Sequence, residues 1–243
     1  MLVGKKFIYI NLPRCASTSF HMTCLKNNVE IEHVSNFMHR FDLKCDFNDT
    51  NENIVHYIAQ THEKLTDLKI KFGTSYPVIA VKRNAPERWY SLWKHVLDEI
   101  SKLGQKREFE ILSSLTTDQL FTFTKNDILT DRAKHRYIDK FLKMHNLKIS
   151  EMNNANLLGF LFILLSPTSY YHNYDKNIIW FDFEKLNELE EWVSNQLNTE
   201  FKLEKVNSSQ QIQCNVKFDN HFIEKYLSIY GDIDNPKEAK TIL

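Results

Sequence analysis

The stretch that most constrains this chain is Lys5 to Phe20, KKFIYINLPRCASTSF. Phe7-Ile8-Tyr9-Ile10 is a continuous apolar run that predicts a buried strand, Asn11-Leu12-Pro13 predicts a turn, and a helix is expected to start near Ser17. A strand running into a helix N-terminus makes an anion site. The first amides of a helix have no intrahelical carbonyl to bond, and the helix dipole adds partial positive charge there. Arg14 adds a full charge, and Ser17, Thr18 and Ser19 add hydroxyl donors. The segment therefore predicts a cradle for phosphate or a phosphate-like group. It is not a Walker loop, because GxxxxGK[ST] needs a glycine pair and a lysine before the hydroxyl. A thiol-phosphatase loop needs an arginine a few residues after its cysteine, whereas Arg14 precedes Cys15, so Cys15 reads as a small loop residue.

The rest of the chain alternates strand and helix patterns. Ser17 to about Asn27 predicts a helix with Phe20, Met22, Cys24 and Leu25 inward, and the alternation of Val29 to Val34 predicts a second strand. Ser35 to Asn48 is loop-like, and Asn51 to Leu68 predicts an amphipathic helix. Val78-Ile79-Ala80-Val81 has the continuous apolar character of a central parallel strand. A helix capped by Asn84 follows, with Pro86 in its first turn and Trp89, Leu92, Trp93, Val96, Ile100 and Leu103 as its core stripe. Helices are expected over Thr117–Phe123 and Asp127–Met144, a strand over Asn177–Phe183, a helix over Leu186–Leu197, and a last helix from Asp219 stopped by Gly231. This order argues for an α/β fold: a central parallel sheet with helices on both faces, in a single domain over residues 1–243.

Composition narrows the function. Lys and Arg number 31 and Asp and Glu 31, so the net charge of zero points away from nucleic acid and other polyanions. Four cysteines without CxxC pairing suggest a reducing compartment. The apolar start is interrupted by Pro13 and Arg14, unlike a signal peptide, and Leu157–Leu165 falls far short of the ~20 residues of a membrane span. A cytoplasmic protein is expected. No HExxH, no Cys/His ligand spacing and no Asp-rich loop is present, so no metal is called for.

A second basic segment, Val81-Lys82-Arg83-Asn84-Ala85-Pro86-Glu87-Arg88-Trp89-Tyr90-Ser91, follows the Val78 strand. Arg83 stands at the C-terminal end of that strand, where open α/β sheets bind ligands. Ser91 follows on the next helix, and an arginine fork with a hydroxyl suits a second phosphate. Taken together, the Arg14 and Arg83 segments resemble the sulfotransferases that use 3′-phosphoadenosine 5′-phosphosulfate (PAPS), the carbohydrate-type members most closely. That family has a Pro-Arg/Lys-x-Gly/Ala-Ser/Thr loop and a later Arg-x-Pro-x-x-Arg-x-x-Ser sequence. The chain departs from it at Ala16, where glycine is frequent, and at Asn84-Ala85-Pro86, one residue longer.

The resemblance implies a P-loop nucleotide-kinase-like fold and a metal-free transfer of a sulfuryl group from PAPS to an acceptor hydroxyl on a carbohydrate or small molecule. It leaves the bisphosphate PAP. It implies that Arg14, Cys15, Ala16, Ser17, Thr18 and Ser19 hold the phosphosulfate and that Arg83 and Ser91 hold the 3′-phosphate. It also implies that Lys205 or Ser209 touches the cofactor from a covering loop. Glu32-His33-Val34-Ser35 is similar to the Gly-His-Val-Ser stretch of the heparan-sulfate 2-O-sulfotransferases, which makes His33 the expected general base, with Glu32 and His39 behind it. Arg14 would stabilise the developing charge. Two rival readings are an ATP- and Mg²⁺-dependent small-molecule kinase and a module that binds a nucleotide bisphosphate without turnover. Tyr170 and Tyr171 are placed either at the acceptor cleft or in packing.

Overall fold

The computed structural model describes residues 1–33, 63–102, 104–147, 161–204 and 212–234. In chain order its strands are β1 (Leu2–Val3), β2 (Phe7–Ile10), β3 (Ile31–Glu32), β4 (Val78–Lys82) and β5 (Ile178–Asp182). The helices are α1 (Ser17–Lys26), α2 (Leu65–Phe72), α3 (Ala85–Lys102), α4 (Lys106–Ser114), α5 (Thr117–Leu120), α6 (Lys125–Ile128), α7 (Asp131–Met144), α8 (Ser169–His172), α9 (Leu186–Leu197) and α10 (Asn220–Asp234). Residues 161–165 form a further helical stretch. The chain divides into two compact units, each assembled from separated stretches of sequence.

The first unit holds the sheet, in the order β3-β1-β2-β4-β5. The apolar runs at Phe7, Val78 and Ile178 become neighbours: β2 pairs with β4 and β4 with β5, both parallel. Ile10 lies opposite Ala80, and Val78 opposite Ile178. All four residues of β2 are buried, as are Val78 to Val81, which is why these strands carry no polar alternation. Phe20 and Cys24 of α1, Leu65 and Leu68 of α2, and Leu189 and Val193 of α9 join them in one core.

The sheet is not parallel throughout. β1 stands between β3 and β2 and runs antiparallel to both, with Leu2 opposite Ile8 on one side and Glu32 on the other. Gly4 and Lys5, at φ 54° and 55°, turn the chain between β1 and β2, and the Lys6 amide donates to the Val3 carbonyl at 2.9 Å. Two left-handed residues in succession make the turn that suits the twist of a hairpin. A strand of two residues is too short to show a period, so its sequence gave no alternation to read. The two reversals leave β3 running in the same direction as β2, β4 and β5. Two other expectations shift: among the described residues the regular part of the second strand is Ile31–Glu32, and Leu25 is 46% exposed while Thr23 takes an inward position on α1.

The second unit is helical. Trp89, Leu92, Trp93, Val96 and Ile100 form the buried stripe of α3, as their spacing predicts, and Arg88 is buried with them. Trp89 stacks on Phe121 with centroids 4.8 Å apart, and Phe121 meets Phe222 of α10 edge-on at 5.2 Å. The helix expected over Asp127–Met144 is two helices, because Thr130 caps α7 through the Ala133 amide at 3.1 Å. The last helix does not stop at Gly231. It continues to Asp234, since Tyr230 and Ile233 bury apolar surface on either side of the glycine. That packing outweighs the ~1 kcal/mol cost of a helical glycine. Residues 161–165 are helical and all buried. Among the described residues, no helix is long and apolar enough to cross a membrane.

Candidate anion site at the sheet edge

The turn after β2 is built from beneath. Tyr9, fully buried, donates its hydroxyl to the Cys15 carbonyl at 3.2 Å and stacks on Phe20 with centroids 4.0 Å apart. Burial holds the Tyr9 phenol well above its ordinary range, as do the neighbouring thiols of Cys15 and Cys24, so it works as a donor that fixes the turn. The Cys15 side chain is buried in the core, as a small loop residue would be. Burial likewise pushes the Cys24 thiol up to about 12.

Above this support the backbone is unusual. Arg14 has φ 61° and Ala16 φ 60°, both left-handed, on either side of Cys15. Alternation of this kind turns successive amides toward one side and makes an anion-binding concavity. Ala16 is also the N-cap of α1, and an alanine supplies no side-chain oxygen to the first amides of the helix. Arg14, Ala16, Ser17, Thr18 and Ser19 are all partly accessible to solvent. The loop therefore keeps its cationic and hydroxyl groups at the surface while its apolar residues anchor it. Ala16 sits where glycine would be the unstrained residue.

Arg83 leaves the same edge of the sheet. Because β2 and β4 are parallel and Ile10 pairs with Ala80, the residues just past both strands emerge side by side. The Arg83 guanidinium lies over the Phe183 ring, 4.6 Å from its centroid. Phe183 immediately follows Asp182, which pairs with Lys82 in register and bonds its ammonium at 3.1 Å. The aromatic face thus steadies the cation from the β5 side.

His33 stands farther along, beyond β1. It follows β3, which runs in the direction of β2, so it too emerges at that edge. Its ring packs on His21 of α1, with centroids 5.8 Å apart and planes at 27°. His21 lies one helical turn beyond Ser17 and Thr18, on their side of α1. Nδ1 of His33 is 3.3 Å from Oε2 of Glu63, which is buried, and Lys71 bonds the His33 carbonyl. Glu32, within β3, is half-buried. Sequence reading found neither His21 nor Glu63. The spacing of His21 from Ser17 was a usable signal, whereas Glu63 stands thirty residues from His33 with no motif around it.

Of the other expected residues, Ser91 is half-buried on α3, in the second unit. Near it, the Tyr90 hydroxyl donates to the Val216 carbonyl at 3.4 Å, and Tyr90 and residues 212–218 line one cleft with Ser113 and Ser114. Tyr171 is a core residue, and Tyr170 is half-buried with the Lys64 ammonium 4.1 Å from its ring centroid. Val34, Ser35, His39, Lys205 and Ser209 lie outside the described residues, as does most of the helix expected over 51–68. No protein-family model, curated protein or solved structure matches the chain.

Proposed function

We propose that the chain is a PAPS-dependent sulfotransferase that acts on a hydroxyl of a carbohydrate or small molecule. The observation that carries this reading is the convergence at one sheet edge of three segments. They are the left-handed Arg14–Ala16 turn with the start of α1, Arg83 on Phe183, and His33 against His21. Two cationic groups beside adjacent strand ends suit the two phosphates of one nucleotide, and an imidazole nearby suits an attacking hydroxyl. A three-layer, P-loop-like arrangement belongs to the same reading, since β2, its turn and α1 have the form of a phosphate-binding strand–loop–helix.

In this reaction the acceptor oxygen forms a bond to sulfur while the bond from sulfur to the bridging phosphate oxygen breaks. The acceptor proton passes to His33. Negative charge grows on the departing phosphate, where Arg14 and the first amides of α1 stabilise it by preorganised electrostatics. Arg83 would hold the 3′-phosphate. The sulfuryl group carries less charge than a phosphoryl group, so the residues present are a sufficient charge complement.

A thermal-shift panel tests the donor. At about 100 times Kd, 3′-phosphoadenosine 5′-phosphate should add about 2.7 kcal/mol of stability, well ahead of AMP. A larger shift with ATP and Mg²⁺ would replace the sulfotransferase with a kinase. For the base, His33→Ala is expected to lose at least a hundredfold in turnover with bisphosphate affinity kept. A loss under tenfold would pass the role to Glu32 or His39.

A further inference from the structure

We propose that Glu63 is a positioning residue that holds the His33 imidazole with its proton on Nδ1, so that Nε2 is the basic nitrogen. Its kinetic consequence rests on the sulfuryl-transfer reading above, whereas the pairing itself does not.

Glu63 stands two residues before α2 and is 6% exposed. Its Oε2 lies 3.3 Å from His33 Nδ1 and 3.1 Å from the Met1 amino nitrogen. An ionised carboxylate only accepts hydrogen bonds, so the hydrogen between Glu63 and His33 must come from the imidazole. A neutral imidazole has one N–H, and if Nδ1 carries it, the lone pair is on Nε2. The other tautomer would set the Nδ1 lone pair against a buried carboxylate oxygen, an arrangement the low local dielectric makes costly. The Met1 amino nitrogen lies against the same carboxylate oxygen, so Oε2 of Glu63 is approached from two sides. His21 stacks on the ring from α1, and Lys71 ties the His33 carbonyl to α2, so ring and backbone are each held from a second direction. When Nε2 takes the acceptor proton, the imidazolium formed is already paired with a carboxylate, and its charge is stabilised as it appears.

Long-range ¹⁵N imidazole spectra of the full chain, without donor, test the pairing at a pH where the ring is neutral. The wild type should show His33 as the Nδ1–H tautomer. Glu63→Gln should lose that preference, because an amide can donate as well as accept, and Glu63→Asp should keep part of it. In turnover, Glu63→Gln should lower kcat about 10- to 100-fold, the scale on which orienting partners act, and Glu63→Asp should restore part of the loss. Affinity for 3′-phosphoadenosine 5′-phosphate should stay within about twofold in both variants, since Glu63 holds the base and not the donor. An Nε2–H tautomer in the wild type overturns the proposal whatever the chain turns over. So does wild-type kcat in a folded, bisphosphate-binding Glu63→Gln protein. If the tautomer is as stated but the bisphosphate does not bind, the pairing is upheld and the donor reading falls.

Discussion

At the scale of single residues, the anion site sets side-chain chemistry against backbone strain. Ala16 holds φ 60° at the cap of α1, a conformation that costs an L-residue roughly 1 kcal/mol and a glycine little. Ala16→Gly should therefore raise stability by up to about 1 kcal/mol, less the entropy the glycine adds to the unfolded chain. A rise in thermal midpoint without change in the circular dichroism spectrum would show this, and a fall would mean that the alanine methyl contributes packing. Arg14 and Arg83 carry the opposite kind of prediction. Each charge-assisted hydrogen bond to a phosphate is worth about 1.5–3 kcal/mol, so Arg14→Ala and Arg83→Ala should each weaken bisphosphate binding about 10- to 100-fold. Arg83→Lys should recover little, because a lysine has neither the fork nor the flat face that lies on Phe183. Isothermal titration with the bisphosphate separates these outcomes, and unchanged affinity in both alanine variants would remove the donor from this edge.

At the scale of elements, what could be read depended on length and on how many faces were buried. β2 and β4 were legible because their faces are covered and their sequences are correspondingly apolar, whereas β5, an edge strand, was legible by its apolar run alone, Ile179 being exposed. The stripe of α3 was legible for the same reason, through Trp89, Trp93 and Val96. β1 was not, since two residues make no period. α10 shows the limit of a local stop signal. Gly231 ends a helix only if it adopts a left-handed conformation, and here it remains helical between buried Tyr230 and Ile233. Among the described residues, a methyl at Gly231 would meet the Leu227 Cβ at 4.0 Å, an ordinary contact. Gly231→Ala should thus stabilise the chain by about 0.5–1 kcal/mol, measured as a shift in urea midpoint at constant slope. A destabilised variant would mean that the helix tolerates no added bulk there.

At the scale of the whole molecule, burial of ionisable groups predicts weakness to alkali. The Cys24 thiol rises from 9.0 to about 12 and the Tyr137 phenol from 10.0 to about 12, both mainly because burial disfavours the charged form. Each group is neutral in the fold, so its contribution is complete below its unfolded pKa and is lost as pH rises toward the folded one. Stability should hold through pH 8 and then fall between about 9 and 12, with a limiting slope of about 1.4 kcal/mol per pH unit for each group. Denaturant titrations at stepped pH check this, and Cys24→Ala should flatten the early part of the fall. The same burial should leave Cys24 unreactive toward alkylating reagents in the native chain near pH 8.

Local sequence determined the strand, turn and helix around Arg14, the apolar strands at Phe7, Val78 and Ile178, and the placing of a cation just past two of those strands. These depend on neighbours within a few residues, through side-chain size, periodicity and the geometry of a helix start. Only the tertiary structure decided that β1 separates β3 from β2, that His33 meets His21, and that the carboxylate beneath His33 is Glu63. Those contacts join stretches far apart in the chain, and the burial that fixes them is a property of the packed sheet, to which no single stretch of sequence holds the key.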